Sequence, residues 1–198
     1  MEKDKHNTFE DHQNPSGKTK DKMIRSAHTE DMIDHYWGSI NYIFSLIKAS
    51  ELKAGLLLSF YGILLNFIFK NIEITLVGFK DNIVLYILLL LWFVCTAVSI
   101  YFCVRCFMPK IEAKYDKNIF FFKDVISKFG SIREFSNTFY NISLDENQLF
   151  DHLGQQIYIN SKIADTKFKY INHALHFLGY SLALLLISGM YYLFSTLI

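Results

Sequence analysis

Three long runs without a charged residue constrain what this chain can fold into. Residues 54–69 (AGLLLSFYGILLNFIF) form the first, bracketed by Lys53 and Lys70. Residues 82–104 form the second, 23 residues ending at Arg105, with Pro109 just beyond, where helices commonly stop. Residues 177–198 form the third, again without a charge. As helices the first and third rise about 24 and 33 Å, against a hydrocarbon core of roughly 30 Å. The first is slightly short, and its flanking lysines make up the difference by snorkelling. A chain of 198 residues has too little remaining sequence to wrap three such helices in a soluble core. They are read as membrane spans.

The placement of Lys and Arg sets the orientation. The connection between the first two spans (KNIEITLVGFKDN) holds only Lys70 and Lys80, whereas residues 105–169 hold ten basic side chains. Positive residues favour the cytoplasm. The N-terminus and the middle region are therefore expected inside, with the C-terminus outside. The first thirty-odd residues are polar, so no signal peptide is expected. A net charge of +1 lacks the basic excess that nucleic-acid binding normally requires. Three cysteines without a regular framework argue against a disulfide-stapled secreted domain.

Outside the spans, residues 1–31 are polar and aperiodic, which predicts a disordered tail. Over residues 32–53 the apolar positions Ile33, Trp37, Ile40, Phe44 and Ile47 recur at helical spacing. They predict an amphipathic helix that runs without a break into the first span. Residues 105–176 read as a cytoplasmic helical region, with an aromatic stretch at Ile119-Phe120-Phe121-Phe122 and a turn at Gly130. Ser131 with Glu134, and Ser143 with Glu146, fit the capping-box spacing at helix starts. From about Leu144 a helix is expected to run through Lys169 into the third span. The fold class is an all-α integral membrane protein, with about three transmembrane helices and amphipathic and cytoplasmic helices extending from them.

Candidate chemistry is sparse. Gln156, Asn160, Ile163 and Lys167 fall at offsets of four, seven and eleven and so share one helix face. Two amides and an ammonium suit a small polar anion, the amides reading base edges and the lysine meeting a phosphate. The same row also fits a solvated face with a snorkelling lysine. Glu51 and Lys53 before the first span echo Asp165 and Lys167 before the third. Acid and base two residues apart do not face each other within a helix, so pairs between helices are one reading and plain interfacial anchoring is the other. Cys103 and Cys106 with His173 and His176 have the count for tetrahedral zinc, but not the spacing of a known finger. No metal or cofactor is expected. No paired-carboxylate site, Ser/His/Asp group or HExxH is present in the sequence, so no enzyme is expected.

Three stretches resemble a known family, the small transmembrane effectors of bacterial Pycsar (pyrimidine cyclase) antiphage systems. The run Ala49-Ser50-Glu51-Leu52-Lys53-Ala54 is similar to an A-D-x-K-A element at the start of the first span. Ile119-Phe120-Phe121-Phe122 resembles an I-F-F element after the second. The most specific match runs from Gln156 to Tyr170 and resembles Q-x-x-x-N-x-x-I-A-x-x-K-[FY]. The likeness covers about residues 40–190. It departs from the pattern at Glu51, where the family has Asp.

The resemblance implies a membrane effector of an antiphage defence system in the bacterial inner membrane. In such a system a partner cyclase makes cyclic CMP or cyclic UMP, and the effector senses it and impairs the membrane, ending in growth arrest or abortive infection. Lys53, Gln156, Asn160 and Lys167 are the expected ligand contacts. Glu51 and Asp165 are the expected partners in ion pairs between helices. Moving an assembly from 1:99 to 99:1 takes roughly 10⁴-fold preference, about 5.5 kcal/mol. Spread over about four identical sites, that is only about tenfold per site, which a few hydrogen bonds supply. A homo-oligomer is therefore expected, and three helices alone enclose no pore. The rival class is a small scaffold, or a channel or transporter subunit without a nucleotide ligand. The absence of ionisable residues within the spans argues against ion-coupled transport.

Overall fold

The computed structural model describes residues 15–71, 82–108 and 117–197. Five helices account for nearly all of them: α1 (Pro15–Lys70), α2 (Ile83–Phe107), α3 (Phe122–Ser127), α4 (Ile132–Leu144) and α5 (Glu146–Leu197). No strand occurs among the described residues. Three helical stretches, Ala27–Lys70, Ile83–Phe107 and Glu146–Ser195, are long and apolar enough to cross a membrane. The three spans expected at residues 54–69, 82–104 and 177–198 fall on these same helices.

The chain divides into two compact units, Met1–Gly38 and Ser39–Ile198. In the first, helix begins at Pro15, a residue suited to a first turn because its missing N–H would have had no partner there. Residues 15–31 are thus helical where a disordered tail was expected, and residues 1–14 lie outside the described residues. The physical reason is cooperativity. Residues 15–31 contain a single glycine after Pro15, and extending an existing helix avoids the cost of nucleating a new one.

In the second unit the buried positions of the long helices recur at alternating steps of three and four. Ile40, Ile43, Ser50, Ala54, Leu57 and Tyr61 mark the seam on α1, and Trp92, Thr96, Ser99, Cys103 and Cys106 mark it on α2. This is the spacing of helices packed side by side at shallow angles. Small residues let the backbones approach closely, and Ser99 Oγ donates to the Ala174 carbonyl of α5 at 2.8 Å. A core of Ala54, Leu57, Cys103, Cys106, Ile171 and Ala174 joins all three helices. Leu56, Ile63, Phe67, Leu90, Leu186 and Met190 point outward, as lipid-facing side chains do. The apolar positions Ile33, Trp37, Ile40, Phe44 and Ile47 differ in burial. Trp37 and Phe44 are largely exposed, whereas Ile40 is buried.

At one end of the bundle Asn82 ties the start of α2 to the end of α5, accepting from Tyr191 Oη at 3.2 Å and donating to Ser195 Oγ at 3.4 Å. Beyond the other end, α3 and α4 pack over a small core of Ile119, Phe129 and Ile142. Ser131 caps α4 by accepting from the Glu134 N–H at 3.1 Å, while Glu134 accepts from the Gly130 N–H at 2.9 Å. A hydrogen bond from Lys117, with that from Gly130, holds the Glu134 carboxyl below its ordinary value. The second expected capping box is corrected. Ser143 lies inside α4 and donates to the Phe139 carbonyl. Asp145 caps α5 instead, accepting from the N–H groups of Asn147 and Gln148. The shorter Asp side chain next to the helix start reaches those N–H groups directly, and they hold its carboxyl below its ordinary value.

Candidate functional site

The face of α5 that carries Gln156, Asn160 and Lys167 is buried, with exposures of 5%, 2% and 4%. These residues occupy seam positions in the extension of α5 beyond the apolar run. The solvated-face reading of the row is therefore set aside. Lys167 Nζ donates to Glu51 Oε1 of α1 at 2.7 Å and to the carbonyl of Cys106 at 2.7 Å. That carbonyl belongs to the last turn of α2, where no intrahelical donor remains. In return, the Cys106 thiol makes long contacts to the carbonyls of Ser50 and Lys167, at 3.8 and 3.7 Å. One lysine thus holds three helices.

Beside this junction opens a cleft of about 310 Å³, at the small end of the range of ligand pockets. Gln156, Asn160, Lys167 and Glu51 form its polar wall, Phe120, Phe121 and Phe122 line it as well, and the exposed Lys123 follows them. Gln156 Oε1 and Asn160 Nδ2 are buried without a hydrogen-bond partner. A buried amide atom left unpaired costs roughly 1–3 kcal/mol. Such atoms ordinarily find partners, and here an acceptor and a donor stand unpaired one helical turn apart beside a buried cation. The arrangement offers an aromatic face for stacking, two amide groups for a polar edge and an ammonium for an anion.

Of the other expected site residues, Lys53 is exposed and lies outside the cleft, its Nζ 5.9 Å from the centre of the Phe168 ring. It stands two residues from Glu51, a spacing at which the two side chains do not share one helix face. Glu51 pairs with Lys167 across helices, but Asp165 does not pair with Lys53. Asp165 meets Lys169 within α5, four residues on, at 2.7 Å. The cysteines and histidines do not gather. Cys103 and Cys106 are buried between helices, whereas His173 and His176 are exposed. Among the described residues no three His, Cys, Asp or Glu side chains are placed to hold a metal.

Two residues that position the aromatic wall were missed. Asn118 is fully buried. Its Oδ1 accepts from the Phe120 N–H at 2.9 Å, and its Nδ2 donates to the His152 carbonyl at 2.8 Å and to Gln155 Oε1 at 3.3 Å. Asp124 accepts from the Asn118 N–H at 3.1 Å and pairs with Lys128. Together they pin residues 118–122 onto α5 one turn from Gln156. The legible signal was an Asn two residues before the N–H it captures, a common Asx turn.

The cleft, its lysine and its aromatic wall all lie within residues 35–194, the stretch that matches the Pycsar effector protein domain. The chain belongs to the Pycsar effector family. No curated protein and no solved structure matches it. As a Pycsar effector it is a membrane antiphage protein, and its three long apolar helices suit that location. The family also implies pairing with a cyclase and signalling by a cyclic nucleotide.

Proposed function

We propose that this Pycsar effector binds a cyclic pyrimidine mononucleotide, cCMP or cUMP, in the cleft between α5 and the Phe120–Phe122 wall, and that binding leads it to impair the inner membrane. The carrying observation is the pair of unpartnered buried amide atoms on Gln156 and Asn160 beside the buried ammonium of Lys167. Each part of the ligand has a matching group. The phosphate bears one negative charge for Lys167, the base edge carries donors and acceptors for the two amides, and the base ring stacks on phenylalanine. The protein acts as a sensor rather than an enzyme. Its N-terminus and cleft face the cytoplasm, where a cyclase releases its product, and several copies assemble so that modest preferences at each site add up.

Titration of the purified protein in nanodiscs with cCMP, cUMP, cAMP and cGMP tests the reading. Saturable binding of one pyrimidine nucleotide is expected, together with nucleotide-dependent dye release from proteoliposomes. Equal weak binding of all four would overturn it. Binding without leakage would keep the sensor and discard the membrane output.

A further inference from the structure

Resting on the binding reading above, we propose that Glu51 is the resident counter-ion a ligand's phosphate must displace from Lys167. The displaced carboxylate then moves along α1 into an adjoining hollow, where Lys48 receives it. Glu51 borders two hollows. One is the cleft with Gln156 and Asn160. The other, of about 540 Å³, is lined by Lys48, Leu52, Gly55, Leu56, Ser59 and Phe107 as well as Glu51.

The two partners of Lys167 are not equally replaceable. The Cys106 carbonyl belongs to a helix end and has no backbone donor of its own, and a cation there also suits the helix dipole. The Glu51 side chain is 39% exposed against 5% for Lys167. It keeps access to water and leaves at less cost. An anion entering the cleft with Glu51 in place meets a like charge on the wall, and the two anions compete for the buried ammonium of Lys167, the other lysine of the lining, Lys123, being exposed. Lys48 and Glu51 stand three residues apart on α1, a spacing at which oppositely charged side chains meet. Exchange therefore moves the charge contact of α1 from α5 onto α1 itself. Because α1 runs on from Glu51 into its apolar run, a phosphate contact at the junction alters what holds that helix in the bundle.

The test is nucleotide binding by full-length protein in nanodiscs, titrated with cCMP and with cUMP. Glu51→Gln keeps an oxygen for Lys167 but removes the competing charge. It is expected to tighten binding of the preferred nucleotide by about tenfold, the scale of one charge-assisted hydrogen bond. Lys48→Ala removes the second berth and is expected to weaken binding about threefold, within the range of a surface ion pair. Should Glu51→Gln fail to fold, Glu51→Asp shortens the arm by one methylene, and a tightening of about threefold is expected from the strained contact. Wild-type binding with unchanged or weaker binding in the Glu51 variants overturns the exchange and leaves the site reading standing. If neither nucleotide binds the wild type or any variant, the site reading fails and the exchange fails with it.

Discussion

Glu51 and Lys167, 116 residues apart in sequence, meet at 2.7 Å, and the lysine is by far the more buried of the two. The asymmetry matters because a buried charge without its partner is expensive, whereas a half-exposed one turns to water. The junction lies in the same seam that packs the spans. A charge event there is felt by α1, α2 and α5 together, since each supplies one of the three groups in contact. This links a cleft beyond the apolar runs to helices that cross the membrane.

The asymmetry predicts unequal losses in the ligand-free protein. Glu51→Ala strands the ammonium and is expected to cost about 3 kcal/mol of stability. Lys167→Met leaves a carboxylate that can hydrate and fills the site with an apolar chain. Its cost is expected to be about 1 kcal/mol, chiefly the lost donor to the Cys106 carbonyl. Thermal unfolding in detergent without nucleotide compares them, and equal losses would contradict the account.

Asn118 touches no part of the polar wall yet sets the aromatic one. Asn118→Ala removes the acceptor of the Phe120 N–H and the donor to Gln155 Oε1, which predicts about 1–3 kcal/mol of destabilisation. Nucleotide affinity should fall with it, because the phenylalanines lose their anchor on α5. Retained affinity in a destabilised variant would show that the wall does not contribute to binding.

The spans were legible because an uncharged run of bilayer length has few other uses. The row Gln156, Asn160 and Lys167 was legible as one face, since helical spacing is local information. Its burial was not, because that depends on α1 and α2 docking along α5, a contact between segments far apart in sequence. The same holds for the partner of Lys167. Spacing already separated Asp165 from Lys167 and offered Glu51 across helices, whereas the choice between pairing and plain anchoring depends on packing. Lys53, two residues from Glu51, lies outside the cleft and beside Phe168 instead. Ser143 lost the capping role to Asp145 because an Asp directly before the helix competes for the same N–H groups.

His152 gives a pH dependence. Burial holds its imidazole below the ordinary value, with the Asp151 carboxylate opposing the shift. The unfolded chain therefore binds the proton more readily than the folded one. The stability contribution is complete above the unfolded value near about 6.5 and is lost as pH falls from there through the folded value. Melting temperature is expected to decline between about pH 7 and 5, and His152→Phe should flatten that decline. An identical slope in the variant would assign the acid sensitivity elsewhere.

Orientation is testable without ligand. Ten basic residues within 105–169 predict that a reporter fused after Ile198 reads as periplasmic, and that one inserted at Gly130 reads as cytoplasmic. A cytoplasmic signal after Ile198 would invert the topology or remove the third span.

Asn160 separates a binding residue from a packing residue. Its Nδ2 is buried and unpaired in the ligand-free protein, so the folded state carries the cost of a desolvated donor with no bond in return. Asn160→Leu has similar bulk and no polar atoms. In a seam lined by Ile159, Ile163 and Ala164 it should raise ligand-free stability by about 1–2 kcal/mol, read as a higher melting temperature. The same change removes a hydrogen-bond donor from the cleft, so affinity for the pyrimidine nucleotide should fall about tenfold. A residue kept for packing behaves otherwise, losing stability on substitution and leaving affinity unchanged. Asn160→Asp adds a further check, because it keeps the shape but swaps the donor for a second negative charge beside Glu51. It should weaken binding of a phosphate-bearing ligand more than Asn160→Leu does. If Asn160→Leu destabilises the protein and binds nucleotide as well as the wild type, Asn160 is structural and the ligand must be held elsewhere.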